Sequence, residues 1–295
     1  MRTQRPRPLD EGDKCNNDFS FFLLEIKFKN INSNIIYMLN INNCIWITGA
    51  STGIGKTLAL KLASEGFTIA ASARSIKNLK KLKNESKSQK GSINIYPLDI
   101  SLRSQVISTF NKIEKKLGNI GTVILNAAIN KPINSQNFSS QKLENIMHVN
   151  YVGTTNVLEP VIKKFTKRKF GKIAVVASLA GYVGFPNSSA YSPTKAALIS
   201  LCESLRSDLE QYNVILQVIN PGFVKTPMTD KNNFYMPFLI SSEKSAEYIY
   251  KGLLTNRFEI FYPKIFGYIL KVLRFLPYFL LLPVLKSTLK NRIRK

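Results

Sequence analysis

The sequence predicts an α/β protein, a doubly wound parallel sheet of about seven strands in a single domain. Short apolar runs alternate with helical stretches from residue 44 to residue 262. That order produces a parallel sheet with right-handed crossovers and helices on both faces. A glycine-rich turn, Thr48-Gly49-Ala50-Ser51-Thr52-Gly53-Ile54-Gly55, joins the first apolar run to the first helix. No Pro-, Gly- or Ser-rich linker divides residues 41–262, and 295 residues are enough to bury a sizeable core.

Residues 1–40 stand apart from this pattern. The first 14 residues are polar and Pro-rich, and the apolar run 19–24 is too short for a signal peptide or a membrane span. A disordered tail is expected there, and a sharper reading starts translation at Met38. Cys44-Ile45-Trp46-Ile47 reads as a buried first strand, and residues 56–65 as a helix with Leu58, Ala59, Leu62 and Ala63 on one face. Residues 68–73 form a second strand, and 75–87 a helix with Leu79 and Leu82 on its apolar side. Residues 93–98 make the third strand. Ser101 can cap a helix reaching about Leu117, in which Val106, Phe110 and Ile113 keep helical register. Residues 123–125 are the fourth strand, about 140–165 a long helix and 172–177 the fifth strand. A helix over 190–212, a sixth strand over 214–219, a helix over 242–254 and an edge strand over 258–262 complete the domain. Residues 263–295 form a basic and apolar C-terminal segment.

Lys and Arg number 42 against 18 acidic residues, a formal net charge of +24. Such an excess points to an anionic partner, whether a phosphate-bearing cofactor, a membrane surface or nucleic acid. Part of it is compositional, since Asn, Ile, Lys, Phe and Tyr are all abundant. No motif interleaving aromatic and basic residues accompanies the charge, so nucleic acid is not expected as a partner. Three scattered cysteines and one histidine, His148, exclude a disulfide framework and a zinc site, and a reducing, cytoplasmic compartment is expected.

Two motifs carry chemistry. In the glycine turn, Gly49 and Gly53 can take positive φ and expose backbone N–H groups, Ser51, Thr52 and Ile54 fill the turn, and Gly55 lets the helix lie close to the sheet. The helix N-terminus then faces an anion such as a pyrophosphate. Farther on, Tyr191-Ser192-Pro193-Thr194-Lys195 places a phenol and an ammonium one helical turn apart on the same face. The ammonium is expected to lower the phenol's pKa towards neutrality, which makes a usable general acid or base. Ser178 ends the fifth strand 13 residues earlier, and its hydroxyl can donate to a substrate carbonyl.

The G-x-x-x-G-x-G spacing, with Ser178 and Y-x-x-x-K farther along the chain, resembles the short-chain dehydrogenase/reductase family, with five motifs in family order over residues 44–228. The resemblance implies a Rossmann fold and hydride transfer between a nicotinamide cofactor and a carbonyl or alcohol. It makes Asn150, Ser178, Tyr191 and Lys195 the catalytic set, with Tyr191 and Lys195 also on the cofactor. Asn150 would lend a helix carbonyl to a water that joins Lys195 to solvent. Ala73 stands where an Asp would favour NAD, and Arg74 follows it, which favours NADP. Thr52 occupies the family's other basic position. Asp99 is similar to the acid that meets the adenine amino group. Asn126-Ala127-Ala128 resembles an N-A-G turn, with Ala128 departing from the usual glycine. Pro221, Gly222, Val224 and Thr226 resemble the turn that approaches the nicotinamide.

Between Thr226 and Ser241 the chain is rich in Phe234, Tyr235, Met236, Phe238 and Leu239, which fits an apolar ligand and equally fits core packing. Residues 264–295 hold eight basic and no acidic residues. Lys264, Gly267, Lys271 and Arg274 form one stripe on a helix whose other faces are apolar, and Pro277 and Pro283 are expected to break the stretch from Tyr278 to Leu285. An interfacial anchor on an anionic membrane and a subunit contact or pocket lid are both consistent with it. The expected protein is thus an NADP-dependent oxidoreductase of an apolar carbonyl or alcohol, homo-oligomeric, with no metal. A cofactor-sensing protein without turnover is the alternative, which the acid/base set argues against.

Overall fold

A computed structural model describes Leu39, residues 42–230, Asn232 and residues 234–293. The expected disordered tail and the Met38 start lie outside the described residues, Leu39 excepted. Seven parallel strands form one sheet in the order β3-β2-β1-β4-β5-β6-β7. They are β1 (Cys44–Thr48), β2 (Thr68–Ala73), β3 (Ser92–Pro97), β4 (Ile120–Leu125), β5 (Gly171–Val176), β6 (Val214–Pro221) and β7 (Glu259–Tyr262). Trp46 pairs with Ala70 on one side and Val123 on the other, so β1 lies inside the sheet next to β4, where the strand order reverses. Ligands of open α/β sheets bind at the carboxyl ends of the strands beside such a reversal.

Helices cover both faces. On one lie α1 (Gly53–Ser64), α2 (Ile76–Glu85) and, later in the chain, α7 (Ser242–Leu253). Their Leu58, Leu79 and Ile249 pack with Ile45, Ile47 and Ile69 of the sheet. On the other lie α3 (Arg103–Leu117), α5 (Gly153–Arg168) and α6 (Tyr191–Glu210), with Phe110, Phe165 and Leu198 packed on Trp46 and Val123. Strands buried on both faces explain why their sequences are near-continuous apolar runs.

Four local readings change. β4 starts at Ile120, three residues before its expected start, because Ile120, Gly121 and Thr122 are as buried as the rest of the strand. The long helix is α4 (Ser140–Met147), a π-helical stretch His148–Val152 and then α5, which runs on to Arg168. Ser101 does not cap α3; Leu102 is the N-cap, and the Ser101 hydroxyl donates instead to Asp99 Oδ1 at 2.7 Å. Pro283 does not break the C-terminal segment. Pro277 separates α8 (Lys264–Arg274) from α9 (Tyr278–Ile293), and Pro283 sits inside α9, where its missing N–H removes one helical hydrogen bond.

Of the α8 stripe, Gly267 and Lys271 are turned towards the sheet, while Lys264 and Arg274 are exposed. Gly267 is buried against Phe261, where an added Cβ would come within 2.3 Å of the ring. The Lys264 and Lys271 ammonium groups lie 3.8 and 4.3 Å from the centre of that ring, and Lys271 pairs with Glu259. Ile265, Tyr268, Ile269 and Val272 face out, while Phe266, Leu270 and Leu273 pack inward.

Candidate active site

The turn after β1 is built as its glycines suggest. Gly49 and Gly53 take φ of 68° and 54°. A Cβ on Gly49 would lie 2.6 Å from Ala127 Cα, so the turn presses against the segment after β4. Asn126 Nδ2 donates to Gly49 O at 3.0 Å, while Thr48 Oγ1 accepts from the backbone N–H groups of Asn126 and Ala127 at 3.2 and 3.3 Å. Gly55 lies behind the turn, where a Cβ would meet Gly49 O at 2.3 Å. Thr52 is the N-cap of α1 but makes no side-chain bond to the first-turn amides, and no acid stands in that turn. These N–H groups and the positive end of the helix dipole are left to an anion.

A cavity of about 390 Å³ runs from this turn across the carboxyl ends of the strands. Gly49, Ser51, Thr52, Gly53 and Ile54 line one part of it, and Arg74 and Asp99 another. Asn126, Ala127, Ser178, Tyr191 and Lys195 line it too, as do Pro221, Gly222, Val224 and Thr226. Every expected cofactor residue except Gly55 lines this cavity. Asn150 does not. The glycine turn, the apolar Leu98 and Ile100 in the lining, and the hydroxyl-bearing Ser178 and Tyr191 fit a dinucleotide.

Arg74 is exposed at the rim. Burial acts to raise the Asp99 carboxyl, but hydrogen bonds from the Ser101 side chain and backbone, with Arg74 and His148 nearby, hold it below its ordinary value. With Oδ1 occupied twice by Ser101, Asp99 keeps Oδ2 for a ligand.

Ser178 follows β5. Its Oγ donates to Pro221 O at 3.2 Å, accepts from Ala180 N at 3.1 Å and hydrogen-bonds Tyr191. Tyr191 opens α6, and Lys195 lies one turn on, its Nζ 5.5 Å from the phenol ring centre. Lys195 Nζ donates to Val176 O at 2.8 Å. The phenol does not move towards neutrality. Burial pushes Tyr191 up to about 12, against the Ser178 hydrogen bond, and pulls Lys195 down to about 7. The physical reason is desolvation, which disfavours both charged forms and outweighs their mutual attraction while the ammonium is spent on a carbonyl.

Asn150 lies in the π-helical stretch, fully buried. Its Oδ1 accepts from Ile129 N at 2.8 Å, and its Nδ2 donates to Ile129 O at 3.0 Å and Thr194 Oγ1 at 3.1 Å. Its backbone carbonyl accepts from Thr154 Oγ1 at 2.7 Å. The side chain thus ties the segment after β4 to the turn of α6 between Tyr191 and Lys195. His148 is exposed, and no group of metal-ligating side chains occurs among the described residues.

A second cavity of about 180 Å³ meets the first at Ser178 and Tyr191. Phe185, Phe223, Phe234 and Phe266 line it together with the polar Asn130, Asn187, Ser188, Thr229 and Asn232. Phe223 stacks on Phe266 at 5.9 Å between ring centres and meets Phe234 edge-on at 6.0 Å. Of the apolar residues 234–239, only Phe234 lines it; Phe238 packs behind Phe266, and Tyr235 is 70% exposed. Sequence reasoning missed Thr48, Leu98, Ile100, Thr194 and the aromatic wall from α8. Leu98 and Ile100 flank Asp99 and were legible from that; Phe266, 75 residues beyond Tyr191, had no local signal.

Comparison with known proteins bears on this geometry. A family model described as short chain dehydrogenase matches residues 43–235. An uncharacterized oxidoreductase of Myxococcus xanthus is 32% identical over 217 residues, 74% of this chain and 86% of that protein. The 3-oxoacyl-acyl-carrier-protein reductase FabG of Thermotoga maritima is 32% identical over 185 residues, 63% of this chain and 75% of that protein. Among solved structures, a short-chain dehydrogenase from Sphingobium yanoikuyae in complex with NADPH has a TM-score of 0.69 at 20% identity, covering 75% of this chain and 88% of its own. An NAD+-bound xylitol dehydrogenase has a TM-score of 0.67 at 24% identity, covering 72% and 92%. At these identities the solved structures share the fold.

Proposed function

This chain belongs to the short-chain dehydrogenase family and is an NAD(P)-dependent oxidoreductase of carbonyl or CH–OH groups; within that activity, we propose that it uses NADPH to reduce the carbonyl of an apolar substrate. The observation that carries the reading is the meeting of two cavities at Tyr191 and Ser178, one reaching the glycine turn and the other with four phenylalanines among its lining. A preference for NADPH is supported by Arg74 at the rim, next to Ala73 where an acid would otherwise hold a ribose hydroxyl. An apolar substrate is supported by Phe185, Phe223, Phe234 and Phe266.

In this reading the first-turn amides of α1 hold the pyrophosphate, and Arg74 pairs with the 2′-phosphate. A reduced nicotinamide held here would supply hydride for the carbonyl carbon. Tyr191 donates its phenolic proton to the oxygen as that oxygen becomes an alkoxide, and burial keeps the phenol in the protonated form this step needs. Ser178 Oγ swings from Pro221 O to the same oxygen and steadies its charge. Lys195, released from Val176 O, holds the ribose hydroxyls and supports the phenolate that Tyr191 leaves behind. Asn150 is a positioning residue, fixing the turn of α6 between the two through Thr194.

The test is NADPH oxidation against ketones and aldehydes, running from short aldehydes to long-chain ketoacyl and steroid compounds, with Tyr191→Phe alongside. Loss of roughly a hundredfold or more of turnover, with NADPH binding retained, is the expected outcome. Turnover at the wild-type rate in Tyr191→Phe would refute the mechanism.

A further inference from the structure

The C-terminal helices carry an apolar surface with nothing over it among the described residues. Ile265, Tyr268, Ile269 and Val272 of α8 are exposed, and Phe275 just beyond it is 88% exposed. Tyr278, Phe279 and Leu282 continue the surface onto α9. Large apolar side chains so concentrated mark an interaction site. Leu281 and Leu285 of α9, with Gly267 and Leu270 of α8, are buried against the body.

Charge identifies the occupant. Residues 264–295 contain eight basic residues and no acid. Arg274 and Lys286 are exposed beside the apolar surface, and Lys290, Arg292, Arg294 and Lys295 come later in the sequence. A second copy of this chain, itself +24, would bring like charges together with no acid in the segment to answer them. An anionic lipid layer supplies both an apolar interior and negative headgroups. Among the described residues no helix is long and apolar enough to cross a membrane, so the contact is with the surface of the layer.

We infer that α8 and α9 dock on an anionic lipid surface and hold the substrate cavity against it. The helix that presents Ile265 and Ile269 outward carries Phe266 into the wall of the aromatic cavity. Lipid and cavity are therefore separated by about one helix diameter, on the order of 10 Å. Lys271 fastens α8 to Glu259, which also bonds Tyr182 and Asn220 near Ser178 and Pro221. An amphiphile lying in the layer is the substrate this placement favours, which rests on the carbonyl-reductase reading; the docking does not.

The full chain with saturating NADPH is mixed with phosphatidylcholine vesicles, with or without phosphatidylglycerol, and pelleted. Wild type is expected to pellet with the anionic vesicles, less so in high salt, and Val272→Asp/Phe275→Asp to bind them at least about tenfold more weakly. Both positions are exposed, so the variant keeps its fold and its turnover of a water-soluble ketone while losing turnover of a long-chain ketone embedded in the vesicles. Absence of pelleting, or equal pelleting by the variant, overturns the docking. So does a dimer, seen by sedimentation velocity, that the variant breaks without any change in vesicle binding. Equal turnover of the embedded ketone by both proteins overturns the orientation. Vesicle binding is read without turnover, so a chain that docks but reduces neither ketone overturns the carbonyl reading alone.

Discussion

Arg74 stands one residue past the end of β2, exposed at the cavity rim, and its charge is felt at Asp99. A guanidinium there can make charge-assisted hydrogen bonds to a phosphate but has nothing to offer a neutral ribose hydroxyl that water would not match. Arg74→Ala is therefore expected to raise KM for NADPH about tenfold and to leave KM for NADH nearly unchanged, in steady-state assays with both cofactors. Equal changes would remove Arg74 from cofactor selection. Tyr191 and Lys195 show the limit of reading residues singly. Their spacing on α6 was legible, because four residues return a helix to the same face. The direction of their pKa shifts was not, because it depends on burial beneath strands and turns remote in sequence.

Between elements, a buried lysine joins β5 to the end of α7. Lys172 Nζ donates to the carbonyls of Leu253 and Thr255, satisfying groups that a helix C-terminus leaves without partners. Burial pulls this lysine down from 10.5 to about 8. The native protein then binds the proton less tightly than the unfolded chain, so this group adds stability as pH rises from about 8 to 10.5 and removes it as pH falls back through that window. Lys172→Met is expected to lower stability by about 1–3 kcal/mol through the orphaned Leu253 carbonyl, Thr255 O keeping its bond from Gln217 Nε2, and to flatten the rise of Tm across that window. Thermal melts of both proteins from pH 7 to 10.5 check it; an unchanged slope would mean the ammonium is not desolvated. The π-helical stretch is a feature of the same scale. It places Asn150 where one side chain reaches Ile129 and Thr194 at once, and the apolar spacing of residues 140–165 carries no mark of it.

Over the whole molecule, 18 acids cannot neutralise 42 basic residues, so the chain sits in a positive field. NADPH carries one phosphate more than NADH and responds more to that field. Raising salt from about 50 to about 500 mM shortens the screening length from above to below about 10 Å and is expected to raise KM for NADPH several-fold, and KM for NADH less. A flat response would assign the charge excess to the lipid-facing segment or to composition. Salt titration of both Michaelis constants decides between them.

The sequence by itself determined whatever local periodicity and spacing encode: the alternation of strands and helices, the glycine turn, and the placement of Tyr191, Lys195 and Ser178 in one order along the chain. These come from backbone geometry, which acts within a few residues. The tertiary structure alone decided what depends on distant partners. It turned the Ser101 hydroxyl to Asp99 rather than to α3, and set Asn150 between Ile129 and Thr194. It brought Phe266 from α8 into the cavity beside Tyr191, and turned Gly267 and Lys271 of the α8 stripe inward. The stripe was visible in sequence, but its direction was not. Phe261 offers a ring face to Lys264 and Lys271, Glu259 offers a carboxylate, and Gly267 permits the close approach. Those contacts hold Gly267 and Lys271 inward beside Phe266, Leu270 and Leu273, and leave Ile265, Tyr268, Ile269 and Val272 to the outside.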